Sequence, residues 1–201
     1  MQENIHPHDD LLSKRAKETL LSQKAKLIWM TGLSGSGKTT IAKVLEKKLH
    51  KHGFLTKLLD GDNIRTGISN NLTFSSDDRQ ENIRRISEVC KLFVEGGVIT
   101  LASFVSPTNV IRKQIMEIVG PENVQMVLID TPVEVCEQRD VKGLYAKARK
   151  GLIPNFTGIS APFDVPDFEH LAVPTVDKTI EESAQMILDH ILPQIRQENK
   201  Q

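Results

Sequence analysis

Apolar residues recur along this chain in two alternating rhythms. From Lys26 onward, short and nearly continuous apolar runs close on small or acidic residues, and stretches with apolar positions every three or four residues follow them. The runs predict strands at Leu27–Thr31, Thr56–Asp60, Val98–Val105, Val124–Asp130 and Leu171–Val173. Val98–Val105 is almost wholly apolar, the pattern of a parallel strand buried on both faces. The longer rhythm predicts helices at Lys38–His52, with Ile41, Val44, Leu45 and Leu49 on one face, and at Asp77–Glu95, with Ile83, Ile86, Val89, Cys90, Phe93 and Val94. Gly96-Gly97 ends the second of these, and further helices are expected at Asn109–Val119 and Ile180–Gln194. Residues 1–24 read as a polar extension with one helix, and 25–201 as a single domain. Strand–helix alternation of this kind implies an α/β fold, a parallel sheet with helices on both faces. Ligands of such sheets bind beyond the carboxyl ends of the strands, so the residues that close each run carry the functional interest.

Composition narrows the field of functions. The 201 residues suit one domain, and 26 Lys+Arg balance 26 Asp+Glu. Zero net charge argues against a general nucleic-acid binder, which needs a basic excess. At 39% hydrophobic and 26% charged the chain is not disordered. Its apolar runs fall well short of the roughly 18 residues expected of a membrane helix. The opening Met1-Gln2-Glu3-Asn4 lacks the basic stretch of a secretory signal, so a cytoplasmic protein is expected. Cys90 and Cys136 then read as buried free thiols rather than a disulfide framework. His6 and His8 have no carboxylate or thiol cluster beside them to suggest a metal.

The first strand runs into Gly32-Leu33-Ser34-Gly35-Ser36-Gly37-Lys38-Thr39, which satisfies G-x-x-x-x-G-K-[ST] in the required strand–loop–helix setting. Glycines let backbone N–H groups curl around phosphate oxygens, and the helix N-terminus adds its positive dipole end. Lys38 is expected on the β- and γ-phosphates of ATP, and the Thr39 hydroxyl on Mg²⁺, with Thr40 beside it. The loop says nucleoside triphosphate without saying what becomes of it. A small-molecule kinase and a GTPase-like switch both remain, although the guanine-reading N-K-x-D is absent.

A kinase needs an acceptor site, and candidates stand after the other strands. Leu59-Asp60-Gly61-Asp62-Asn63 places two carboxylates where they either face metal and an attacking hydroxyl or simply build a turn. Arg65 can pair with an anion through its rigid fork. Arg79 and Asn82 share a helix face, either solvated or turned to a phosphate or purine edge. Phe74 is either a hydrophobic staple or a plate for a base. Ser106 either caps the next helix, with Pro107 at its first position, or bonds the acceptor, or becomes a phosphoserine. Arg139 to Lys150 is strongly basic and leads into a Gly/Pro-punctuated loop with Asn155 and Phe156, either a charged surface helix or a lid over about 139–160.

Together these strings resemble the adenylylsulfate kinases, which phosphorylate the 3′-hydroxyl of adenosine 5′-phosphosulfate with ATP. The resemblance runs from about Lys24 to Thr175. It is carried by Gly32–Thr39, Leu59-Asp-Gly-Asp-Asn-Ile-Arg65, Asp78-Arg-Gln-Glu-Asn-Ile-Arg-Arg85, Phe104-Val-Ser-Pro107, Cys136–Tyr145 and Phe156-Thr-Gly-Ile159. It implies that Phe74 and Phe156 sandwich the acceptor's adenine. Arg65, Arg79 and Asn82 would bind its phosphosulfate and purine, Lys142 would help from the lid, and Val105 and Asn155 would line the pocket. It also implies that Asp62 assists Mg²⁺ and the 3′-hydroxyl, that Ser106 matches the family's phosphoserine position, and that a P-loop kinase fold assembles as a dimer in sulfate assimilation. A nucleoside or gluconate-type kinase is the nearest alternative. The chain departs from the family where Thr108-Asn109 replaces Tyr-Arg, where Asn71-Leu72-Thr73 precedes Phe74, and at Ser160, usually acidic.

Overall fold

The computed structural model describes His8 and residues 10–197; His6 lies outside them. Five strands form one wholly parallel sheet: β1 (Leu27–Thr31), β2 (Thr56–Asp60), β3 (Ile99–Ser103), β4 (Val124–Asp130) and β5 (Leu171–Pro174), in the order β2-β3-β1-β4-β5. The helices are α1 (Lys14–Leu21), α2 (Lys38–Lys51), α3 (Gly61–Arg65), α4 (Ser76–Glu95), α5 (Asn109–Val119), α6 (Val133–Arg139), α7 (Leu144–Arg149) and α8 (Ile180–Ile195). Every residue of β1 and β3 is buried. Strand alternation then sends Ile28 and Met30 into one core with Ile41, Leu45 and Leu49 of α2 and Ile187, Leu188 and Ile191 of α8. Leu27 and Trp29 enter the opposite core with Ile83, Ile86 and Cys90 of α4 and Ile115 of α5. Because β1 lies between β3 and β4, the chain order of the sheet reverses there, and the loop after β1 opens at the switch point.

The sheet and its four long helices follow the hydrophobic rhythms closely, and the differences have local causes. β3 is shorter at both ends than Val98–Val105. Gly97, at φ 84°, and the bond from Val98 N to Phe93 O keep Val98 in the turn after α4. Ser106, at φ 41°, turns the chain out of the sheet at the other end. Ser106 does not cap α5. Thr108 does so, accepting from Ile111 N, and Pro107 lies ahead of the helix. The basic run is not one helix either. Asp140 and the left-handed Gly143 break it between α6 and α7, and Asp140 accepts from Tyr145 N and Ala146 N at 3.0 Å each. Short α3, α6 and α7 carry too few turns to leave a hydrophobic rhythm.

The segment ahead of β1 is tied into the body by one buried side chain. Gln23 donates to Leu55 O (3.0 Å) and Gly97 O (2.8 Å), and its Oε1 accepts from Leu55 N (2.8 Å). A leucine there leaves those backbone groups unpaired, at about 1–3 kcal/mol per buried polar group. Gln23→Leu is expected to lower stability by about 3 kcal/mol, seen as a reduced urea midpoint at unchanged slope; an unchanged midpoint contradicts this.

Candidate active site

The loop Gly32–Thr39 joins β1 to α2 under tight constraint. A Cβ on Gly32 would sit 2.8 Å from the Ile129 carbonyl oxygen of β4, so the loop passes where only glycine fits. Gly37, at φ 100°, opens α2 with no side-chain cap, leaving the N–H groups of the first turn directed at the loop. Lys38 is buried, and its ammonium donates to Leu33 O (2.6 Å) and Ser36 Oγ (3.3 Å). Burial lowers its pKa to about 8; Cys136 and Asp60 work against that shift and Lys142 adds to it. Ser34 and Gly35 complete the loop, and Thr40 is exposed on α2.

Two strand ends and a helix start meet at Thr39. Its hydroxyl donates to Asp60 Oδ2 (2.7 Å), the last residue of β2, and lies 3.2 Å from Ser103 Oγ, the last of β3. These hard oxygens, with a single carboxylate, suit Mg²⁺, which dehydrates reluctantly and takes most of its other ligands from water and phosphate. No group of three or more His, Cys, Asp or Glu that could hold a metal occurs among the described residues. The carboxylate on Thr39 is thus Asp60. The two Asp share a turn, and Asp60 Oδ1 accepts from Asp62 N (3.1 Å), capping α3. Asp62 itself is exposed and ion-paired with Lys142 of the α6–α7 segment.

α3 ends in Arg65, whose guanidinium carbon lies 4.3 Å from the Phe74 ring centroid and whose Nη1 donates to Thr73 O (3.0 Å). Arg79 Nε donates to Phe74 O (2.9 Å). Phe74 is therefore held from behind and beside while the residue stays 66% exposed. Partial burial and the Arg79 charge hold the Arg65 pKa below its ordinary value, with Asp78 and Asp62 working against that shift. Asn82 is buried and its Oδ1 has no partner. An orphaned amide oxygen in that position suits a donor such as a purine amine. Across the edge, Val105 O accepts from Thr31 Oγ1 (2.6 Å), and Ser106 is buried.

Phe156 and Phe74 stand in different surroundings. Phe156 is buried, packed edge-on against Tyr145 at 5.0 Å in a small core with Leu33 and Cys136. Tyr145 O–H donates to Ser34 O (2.9 Å), so the segment 139–160 is fastened to the phosphate loop. Ser160 Oγ accepts from Phe156 N (2.9 Å), and Asn155, exposed at φ 54°, precedes it. Sequence reasoning passed over Asp60 as the Thr39 partner, and over Ser103 and Arg139, whose guanidinium donates to Ser36 O (3.3 Å). Asp60 closes a strand and Arg139 opens the basic run, but neither feature of the sequence names the partner.

Known proteins resemble this chain over most of its length. A model of the adenylylsulphate kinase family matches residues 24–174. An adenylyl-sulfate kinase of Bacteroides fragilis is 55% identical over 193 residues, covering 96% of each chain. One from Clostridium kluyveri is 49% identical over 188 residues, covering 94% of each. Among solved structures, the Mycobacterium tuberculosis APS kinase CysC in complex with AMPPNP and APS superposes with a TM-score of 0.80 at 41% identity, over 84% of this chain and 98% of that one. The match runs from just ahead of β1 to the last residue of β5 and takes in the phosphate loop, α3, α4 and the Tyr145 segment; the chain belongs to the adenylylsulfate kinase family.

Proposed function

We propose that the chain transfers the γ-phosphoryl group of ATP to the 3′-hydroxyl of adenylylsulfate, giving 3′-phosphoadenylylsulfate and ADP. The observation that carries this is the bonded line Thr39–Asp60–Asp62, which joins the phosphate loop to the start of the acceptor face within one turn of chain. The loop N–H groups and Lys38 hold the donor's phosphates, and Arg139 adds charge beside Ser36. Mg²⁺, when bound at Thr39 and Asp60, supplies positive charge to the β- and γ-phosphate oxygens. Asp62 orients the 3′-hydroxyl and takes its proton, exchanging its Lys142 partner for the substrate. Phe74 stacks on the acceptor's adenine, Arg65 and Arg79 meet the phosphosulfate, and Asn82 reads the purine. Val105, Asn155, Phe156 and Lys142 close the pocket.

An exposed aromatic plate backed by paired arginines favours a nucleotide acceptor over gluconate, which has no base to stack. Transfer is direct, because phosphoryl transfer rests mainly on positioning and electrostatics, and the residues at hand supply both. The same reading includes a homodimer, tested by light scattering, and a cytoplasmic setting. No helix among the described residues is long and apolar enough to cross a membrane.

ADP release measured with ATP or GTP against adenylylsulfate, AMP and gluconate tests the reading, with turnover expected only for ATP with adenylylsulfate. Preference for gluconate or AMP, or hydrolysis without an acceptor, contradicts it. In the same assay Phe74→Ala is expected to raise the KM for adenylylsulfate about fivefold or more, since base stacking contributes about 1–3 kcal/mol. The KM for ATP and the melting temperature should hold, because the ring is exposed.

The Lys38 pKa gives a second expectation. In the free protein the amine is half-deprotonated near pH 8, and polyphosphate favours its charged form. Binding of a non-hydrolysable ATP analogue at pH 8.5 therefore takes up protons, and affinity falls as pH rises through about 8. Calorimetry in buffers of different ionisation enthalpy should show the uptake in the wild type and lose it in Lys38→Met. Equal proton counts in the two proteins contradict the assignment.

A further inference from the structure

Trp29 is the chain's single tryptophan, fully buried in the middle of β1 on the side of the sheet that faces α4 and α5. Its ring stacks on Phe104, with centroids 5.2 Å apart and planes at 28°. Its Nε1 does not go unpaired in this apolar setting. It donates to Ser106 Oγ at 2.9 Å. An indole N–H can only donate, so Ser106 Oγ is the acceptor in this bond.

Ser106 needs holding. It is a non-glycine residue at φ 41°, a left-handed conformation that persists only where the surroundings over-determine it. The clamps are visible. Thr31 Oγ1 donates to Val105 O at 2.6 Å and to Ser106 O at 3.2 Å. Asp164 N and Arg112 Nη2 both donate to Pro107 O. All of these grip backbone oxygens. Trp29 is the only group among the described residues hydrogen-bonded to the Ser106 side chain. Accepting the bond draws electron density from Oγ, and no base among the described residues is bonded to the hydroxyl. Both features make Ser106 a poor nucleophile.

We propose that Trp29 is a positioning residue for phosphoryl transfer: through its indole N–H it pins the Ser106 hydroxyl, and thereby fixes the turn 105–107 that forms the acceptor-side wall. The proposal rests on the reading that adenylylsulfate is the acceptor. Ser106 then serves as an anchor of that wall, and stays unphosphorylated. Since Trp29 is the lone indole, its fluorescence also reports on that wall.

Trp29→Phe keeps an aromatic ring against Phe104 and removes the N–H. It is expected to raise the KM for adenylylsulfate about three- to tenfold, the worth of one hydrogen bond, and to leave the KM for ATP unchanged. Ser106→Ala is expected to do the same, and the double variant to be no worse than the poorer single one. Where Trp29→Phe does not fold, the wild-type protein still gives a reading. Its tryptophan emission should change as adenylylsulfate is added and stay constant with an ATP analogue, and Ser106→Ala should abolish the change. A purely structural role for Trp29 would show as effects that add in the double variant and fall equally on both substrates. Absence of wild-type turnover with adenylylsulfate would overturn the proposed function and this inference with it. Wild-type turnover combined with additive effects, or with emission unmoved by adenylylsulfate, would overturn the inference alone, whereas phosphate found on Ser106 by peptide mass spectrometry would overturn both the inference and direct transfer.

Discussion

Parallel pairing places the carboxyl ends of all five strands along one edge, and everything functional in this molecule depends on that constraint. β1 is buried on both faces, so it needs cover above and below, which α2 with α8 and α4 with α5 provide. Covering helices require long crossovers, and each crossover begins at the same edge. Thr31, Asp60 and Ser103 therefore end their strands side by side, with α2 starting among them. The Thr39–Asp60 bond is a consequence of sheet register, Asp60 lying opposite Ser103 and Ser103 opposite Met30.

Charge is distributed along that edge with differing degrees of burial. Lys38 is desolvated and its pKa lowered, so the loop is energetically primed for the anion that would restore its charge. Arg65 and Arg79, each partly desolvated, hold the exposed Phe74 through its ring and its carbonyl. The Lys142–Asp62 pair, by contrast, is open to solvent, where ion pairs contribute little and exchange partners easily. Such a pair can be displaced at small cost. The segment bearing Lys142 is anchored elsewhere, through Tyr145 on Ser34 and Phe156 in its own small core.

The strands, the four long helices and the phosphate loop were legible in the sequence because burial imposes period 2 or 3.6 on residue choice. What escaped was decided by single contacts without a period. A helix cap is one of three roles the sequence allows Ser106 beside Pro107, but the turn runs left-handed and Thr108 takes the cap. The basic run looked like one helix, yet Asp140 and Gly143 split it. Asp60 and Asp62 were seen as a pair, and only coordinates could show which of them meets Thr39. Trp29 read simply as a strand residue, since nothing in its neighbours names a partner 77 positions away.

The proposed reaction is a single in-line displacement between donor and acceptor held at one sheet edge, with no covalent phosphoenzyme. The stereochemistry at the transferred phosphorus tests this most directly. With ATP made chiral at the γ-phosphorus by isotopes of oxygen, one displacement inverts configuration, and two through a phosphoserine retain it. Inversion in the 3′-phosphoadenylylsulfate formed is the predicted result, and retention would contradict the account.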